Sequence, residues 1–159
     1  MTQMLRRQFL AASVLAIPGS LLAAPDPFAA SPWRRISDAD WRKRLPPAAY
    51  EVLRHEGTEP AWTSSLLNEH RAGTFICLGC GLPLFKSQWK FDSGTGWPSF
   101  YTAIAGALSK KADFMLVAER TEYHCARCLG HQGHVFNDGP RPTGLRYCND
   151  GVALKFVPA

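Results

Sequence analysis

Five cysteines carry most of this chain's chemical potential, and their spacing sorts them into two kinds. Cys77 and Cys80 form one CxxC pair in CLGC, Cys125 and Cys128 form a second in CARC, and 44 residues separate the pairs. A two-residue spacer lets both sulfurs of one turn point the same way, and two such hooks supply the four soft ligands that a tetrahedral zinc ion takes. A single iron fits the same thiolates, and two redox dithiols are the reading without metal. The spacing brings no open position within reach, so the expected site is closed and structural, with one Zn2+ as its ion. That leaves Cys148 unassigned.

Cys148 is either a buried strand cysteine or a nucleophile, and its neighbours favour the second. Arg146 lies two residues earlier on a strand, so the two side chains leave the same face and the guanidinium is expected to favour the thiolate. His131 and His134 fall in HQGH beside a glycine bend, where a pair of imidazoles can donate protons to a leaving oxygen. Asp150 lies two residues beyond Cys148. It either orients a histidine or a water, or merely caps the turn that follows. Trp97, in the glycine-flanked loop GTGWPSF, is better placed as a wall for an apolar ligand group than as core. His55 and His70 fall in polar stretches and read as surface residues.

The elements that position these residues follow from the pattern. Ser37 and Asp40 form a capping box for a short helix through Arg44, and Pro47 opens a second helix with Tyr50 and Leu53 on one face and Gly57 past its end. The GTEPAWTSSLLNEHRAG segment is turn-rich and reads as a wrapping loop. TFICLGCGLPLF reads as strand, knuckle, strand, with Gly79 and Gly81 easing the turn. The residues up to Lys110 and Lys111 read as loop, and FMLVAERTEYHC as a strand entering the second knuckle. HVF, LRYC and VALKFV are further short strands between NDGP and NDG turns. The expected class is mainly β and antiparallel, with two small N-terminal helices.

At 159 residues the chain has room for one domain. Residues 1–30 are set apart as an export signal of the twin-arginine type: Arg6 and Arg7 precede an apolar run that Pro18 and Gly19 break too early for a membrane span. A tethering helix that is never cleaved is the competing reading. The domain proper is 31–159, and contact with a membrane is expected only through the signal. Eighteen Lys and Arg against thirteen Asp and Glu give a formal charge of +5. No basic stripe accompanies it, so nucleic acid is not an expected partner. Twin-arginine export carries folded proteins, which would let the metal load before the thiols meet an oxidant.

CLGCGLPLF, KFDSGTGWPSFY, CARCLGHQGHVFNDGPRPTGLRYCND and ALKF, in that order, closely resemble the B-type methionine sulfoxide reductases over roughly residues 41–158. The resemblance implies an antiparallel β-tent of two small sheets, and a structural zinc on Cys77, Cys80, Cys125 and Cys128. It implies Cys148 as nucleophile toward methionine (R)-sulfoxide, free or in proteins, with Trp97 against the substrate methyl and His131 and His134 holding and protonating the oxygen. Two departures matter. Thr95 stands where the family commonly has a resolving cysteine, so a one-cysteine enzyme is expected, passing through a sulfenic acid and restored by a thioredoxin-like dithiol partner. Asp150 stands where members often have asparagine, and an ionised carboxylate cannot donate the hydrogen bond an amide can. The chain is expected to act as a monomer. The rival readings are a zinc-ribbon binding module, which gives Cys148 no special place, and a redox-sensing thiol protein without sulfoxide specificity.

Overall fold

The computed structural model describes residues 26–113 and 120–159. The segment read as an export signal lies outside the described residues up to residue 25, as does the stretch 114–119 of the run entering the second knuckle. Among the described residues no helix is long and apolar enough to cross a membrane.

Two short helices open the domain. Helix α1 (Asp38–Arg44) begins at the expected box, with the Ser37 hydroxyl accepting from the Asp40 amide at 3.2 Å and donating to its carboxylate at 2.7 Å. Helix α2 (Pro47–His55) starts on proline and buries Ala49, Tyr50, Val52 and Leu53. Its left-handed terminal residue is Glu56, with φ 57°, rather than the glycine that follows.

Among the described residues nine strands follow: β1 (Gly73–Cys77), β2 (Pro83–Lys86), β3 (Lys90–Phe91), β4 (Ser99–Phe100), β5 (Leu108–Asp113), β6 (Arg120–Cys125), β7 (His131–Phe136), β8 (Arg146–Asn149) and β9 (Leu154–Pro158). They make a three-stranded sheet ordered β2-β1-β9 and a six-stranded sheet ordered β3-β4-β8-β7-β6-β5, and every pairing is antiparallel. The mainly β class expected from the short strands and tight turns is what the chain adopts. One segment departs from expectation. Lys110 and Lys111 lie within strand β5, not in a loop, paired with Tyr123 and Glu122 of β6. LSKKAD has little intrinsic strand preference, so pairing with β6 makes it a strand, and lysines suit the sheet edge it occupies.

The two sheets meet through aromatic rings. Phe75 and Phe85 of the smaller sheet are fully buried against Phe100 of the larger, with Phe85 and Phe100 stacked at 4.2 Å and Phe75 edge-on to Phe100 at 5.0 Å. Tyr123 and Tyr147 of the larger sheet extend the contact, at 6.3 and 6.1 Å from Phe85. Each such ring contributes roughly 1.5–3 kcal/mol by leaving water. Tyr123 is fully buried, and its hydroxyl is satisfied by the Asn149 side chain at 2.9 Å. With its core fixed in this way, the larger sheet holds β8 between β4 and β7 as a rigid central strand.

Candidate active site and metal centre

The four paired cysteines converge. Their sulfurs lie within 4.8 Å of one another, with Cys77 and Cys128 at 3.7 Å and Cys80 and Cys125 at 3.5 Å. Zinc–sulfur bonds of about 2.3 Å in a tetrahedron require sulfur–sulfur edges of about 3.8 Å, which these two separations approach, so the donor set suits a tetrahedral ion. All four are buried, and none of the five cysteines is in a disulfide. The knuckles are built alike: the residue after each second cysteine takes a left-handed turn, Gly81 at φ 73° and Leu129 at φ 59°. Its amide then donates to the carbonyl of the first cysteine, at 2.7 Å in one knuckle and 2.9 Å in the other. Gly79 has no such turn. Arg127 Nε and Gln132 Nε2 each donate to a sulfur at 3.4 Å, on Cys80 and Cys77 respectively, which suits a cluster carrying excess negative charge.

Cys148 is elsewhere. It sits in β8 directly opposite His134 of β7 on one side and Ser99 of β4 on the other. A cleft of about 120 Å³ opens over it, lined by Thr58, Trp97, Gly133, His134, Phe136, Cys148 and Asp150. A larger cavity of about 460 Å³ lies between α2 and β9, but neither cysteine nor histidine lines it. Size alone would therefore misplace the chemistry. Gly133 is obligatory beside the thiol: with φ 148°, a Cβ there would fall 2.0 Å from the Cys148 carbonyl oxygen.

Of the candidate residues, Cys148, Trp97, His134 and Asp150 line this cleft, while Arg146 and His131, whose ring lies 5.4 Å from that of His134, are not among its walls. The Trp97 indole donates to the Glu59 carbonyl at 2.8 Å, which fixes the ring as a wall. Arg146 is held by Asp138 through two hydrogen bonds of 2.9 and 2.8 Å and lies over the Phe136 ring at 4.3 Å. Its pull on Cys148 has the expected direction but does not prevail. Burial pushes the thiol above its usual value, and Asp150 adds to the rise. Arg146 and a hydrogen bond with Thr95 only partly offset them. Burial thus holds the Cys148 thiol above its ordinary value in spite of the guanidinium.

Asp150 turns inward instead of capping the turn after it. One oxygen accepts the Glu59 amide at 2.7 Å, and the other lies 3.7 Å from His131 Nε2, an ion-pair rather than a hydrogen-bond separation. His131 is 3% exposed, and its Nδ1 meets Glu122 at 2.7 Å. Burial by itself would lower the His131 pKa, yet Asp150 and Glu122 together raise it. Burial would likewise raise Glu122, but His131 and Lys111, 3.1 Å away, carry it below its ordinary value. A carboxylate–imidazole–carboxylate row thus runs inward from Asp150 in the cleft wall.

Sequence reading overlooked Glu59 and Glu122, the buried partners of this row, and the lining residues Thr58 and Phe136. Glu122 alternates with Tyr123 on a strand three residues before Cys125 and pairs with His134. Glu59 lies in a loop whose composition says only that it turns.

A family profile described as the SelR domain matches residues 45–158. The chain is 52% identical over 121 residues to the peptide methionine sulfoxide reductase MsrB of Leptospira interrogans, spanning 76% of this chain and 92% of that one. It is 51% identical to the protein of the same name from Thiobacillus denitrificans, over 77% of this chain and 93% of the relative. The relative from Leifsonia xyli is 52% identical, over 77% and 89%. Likeness of this degree, running through both knuckles and the Cys148 cleft, makes the chain a member of the MsrB family of peptide methionine sulfoxide reductases.

Proposed function

We propose that Cys148 reduces the R epimer of methionine sulfoxide by taking its oxygen. The observation that carries this reading is the division of the sulfurs: four close on a metal-sized tetrahedron, and the fifth alone opens into a cleft with an indole and an imidazole. The Cys148 sulfur attacks the sulfoxide sulfur. A proton reaches the departing oxygen from the His134 side, where His131 is held by Glu122 and Asp150. Oxygen ends on Cys148 as sulfenic acid, and the thioether leaves as methionine. Two electrons pass from the cysteine sulfur to the substrate sulfur. An external thioredoxin-like dithiol then returns two electrons, becomes a disulfide and releases the oxygen as water.

Substrate contact is what brings the raised thiol to reaction. A sulfoxide oxygen accepting a proton while sulfur accepts the thiol's electrons lets proton and oxygen move together. Selection of the R epimer follows from three fixed directions: methyl against Trp97, oxygen toward His134, and the rest of the residue out through the mouth. Cys77, Cys80, Cys125 and Cys128 would hold one zinc ion, which supplies structural cross-linking and takes no part in the redox step.

Residues 1–30 act as a twin-arginine export signal, so the monomeric enzyme repairs oxidised proteins in the periplasm. Arg6 and Arg7 ahead of the apolar run support this. Replacing both with lysine should leave the protein in the cytoplasmic fraction, and unchanged export would refute the assignment.

The reaction itself is tested by supplying each sulfoxide epimer with a dithiol donor. Wild type should turn over the R epimer, and Cys148→Ser should turn over neither while keeping its metal. Turnover by Cys148→Ser, or preference for the S epimer, would remove the reading.

A further inference from the structure

Trp62 is the most exposed large apolar side chain among the described residues, with 65% of its surface open to solvent. A single exposed apolar side chain is ordinary on its own, and what sets this one apart is how it is held and what lies beside it. Its backbone is held at φ 69°, a left-handed conformation that a bulky residue rarely takes. The cause is local: the Trp62 amide donates to the Gly96 carbonyl at 2.8 Å, pinning this loop onto the loop that carries Trp97. Position 96 accepts the contact only as glycine, since a Cβ there would lie 2.9 Å from the Trp62 nitrogen and 3.0 Å from its indole. The exposed ring is therefore fixed beside the cleft.

A groove of about 260 Å³ runs from Trp62, with Leu67, Phe91, Trp97 and Pro98 among its walls. Trp97 lines both this groove and the Cys148 cleft, so the two share one indole as a wall. Phe91 belongs to β3, the edge strand of the larger sheet. A methionine sulfoxide seated on Cys148 sends its backbone out of the cleft mouth, and in a polypeptide the flanking residues must lie on the rim. We infer that the Trp62 groove seats the polypeptide segment flanking an oxidised methionine, with Trp62 as its apolar anchor. This surface, rather than the cleft, separates peptide from small substrates. The inference rests on the proposed reaction at Cys148. Aromatic anchors of this kind dominate the binding of short segments because they bury large area with few rotatable bonds.

The test uses pre-reduced, zinc-loaded full-length protein in single turnover, so that no reductant is needed. Two substrates are compared: an unstructured peptide with one internal methionine (R)-sulfoxide, and N-acetyl-methionine (R)-sulfoxide. In Trp62→Asn, whose new side chain tolerates the left-handed backbone, the second-order constant for the peptide should fall about tenfold while that for the small substrate changes less than about twofold. Trp62→Phe should restore most of the peptide rate. If wild type is active on both substrates and the variants lose both equally, or lose neither, the docking surface is overturned alone. A defect confined to steady-state turnover with the dithiol partner would assign the surface to the reductant and overturn it too. Wild type inert toward both substrates would bring down the Cys148 reading and this one with it.

Discussion

At Cys148, burial outweighs the neighbouring guanidinium, because Arg146 is already committed to Asp138. The free enzyme should therefore react with iodoacetamide at a rate that rises with pH and levels off only above the ordinary thiol value of 9.0. A plateau reached by neutral pH in a kinetic alkylation assay would contradict this. Position 95 gives a second expectation. Thr95 lies close enough to Cys148 to lower its pKa, so a thiol placed there would neighbour the sulfenic acid. Thr95→Cys, oxidised with one equivalent of substrate, should yield an intramolecular disulfide on mass analysis, where wild type yields sulfenic acid. Spacing alone singled out Cys148 in the sequence, since four cysteines account for one another and Cys148 does not. It did not disclose the sign of the thiol's shift. Whether burial or charge wins depends on what else holds Arg146, and Asp138 lies eight residues away.

The strands impose the geometry that those residues exploit. Antiparallel register puts His134 opposite Cys148 on one side and Glu122 on the other, and a register shift between Tyr123 and His124 leaves the His131 ring 5.4 Å from that of His134, in reach of Glu122. Removing one partner of a buried pair leaves an uncompensated group, so Glu122→Gln should cost about 3–5 kcal/mol in denaturant unfolding. The pH dependence has two limbs. Glu122 is lowered in the fold, so its contribution is complete above 4.5 and disappears as pH falls through the folded value. His131 is raised, so its contribution is complete below 6.5 and disappears as pH rises through the folded value. Wild type should show its greatest advantage over Glu122→Gln between these limits, and an advantage that does not vary from pH 4 to 8 (about the range set by ordinary Glu and His values) would refute the coupling. Both helices were legible because their signals are local: a serine box for one, a proline start for the other. Strand β5 was not, because Lys110 and Lys111 become strand only once β6 is beside them. The loop carrying Thr58, Glu59 and Trp62 likewise takes its meaning from distant residues, Asp150 and Gly96.

On the scale of the whole molecule, the two cysteine pairs belong to different sheets. Cys77 ends β1 and Cys80 follows it in the three-stranded sheet, whereas Cys125 ends β6 and Cys128 precedes β7 in the six-stranded one. An ion held by all four cross-links the sheets at one end of their aromatic interface. It also reaches the active site through one residue. The Gln132 side chain donates to Cys77, and its backbone carbonyl accepts the Asp150 amide at 2.9 Å, while its neighbours His131 and Gly133 support the cleft. Structural zinc contributes roughly 10–16 kcal/mol in small modules, which is as large as the whole stability of a typical domain, about 5–15 kcal/mol. Exhaustive chelation should therefore melt the aromatic interface and abolish reductase activity in a single transition, although Cys148 is not a ligand. Near-ultraviolet circular dichroism and turnover, followed against metal content, should fall together, and Cys128→Ser should reproduce the loss without chelator. If chelated protein kept its melting temperature, the sheets would be held by their rings alone. If activity vanished while the dichroism stayed intact, the ion would belong to the chemistry instead of the scaffold.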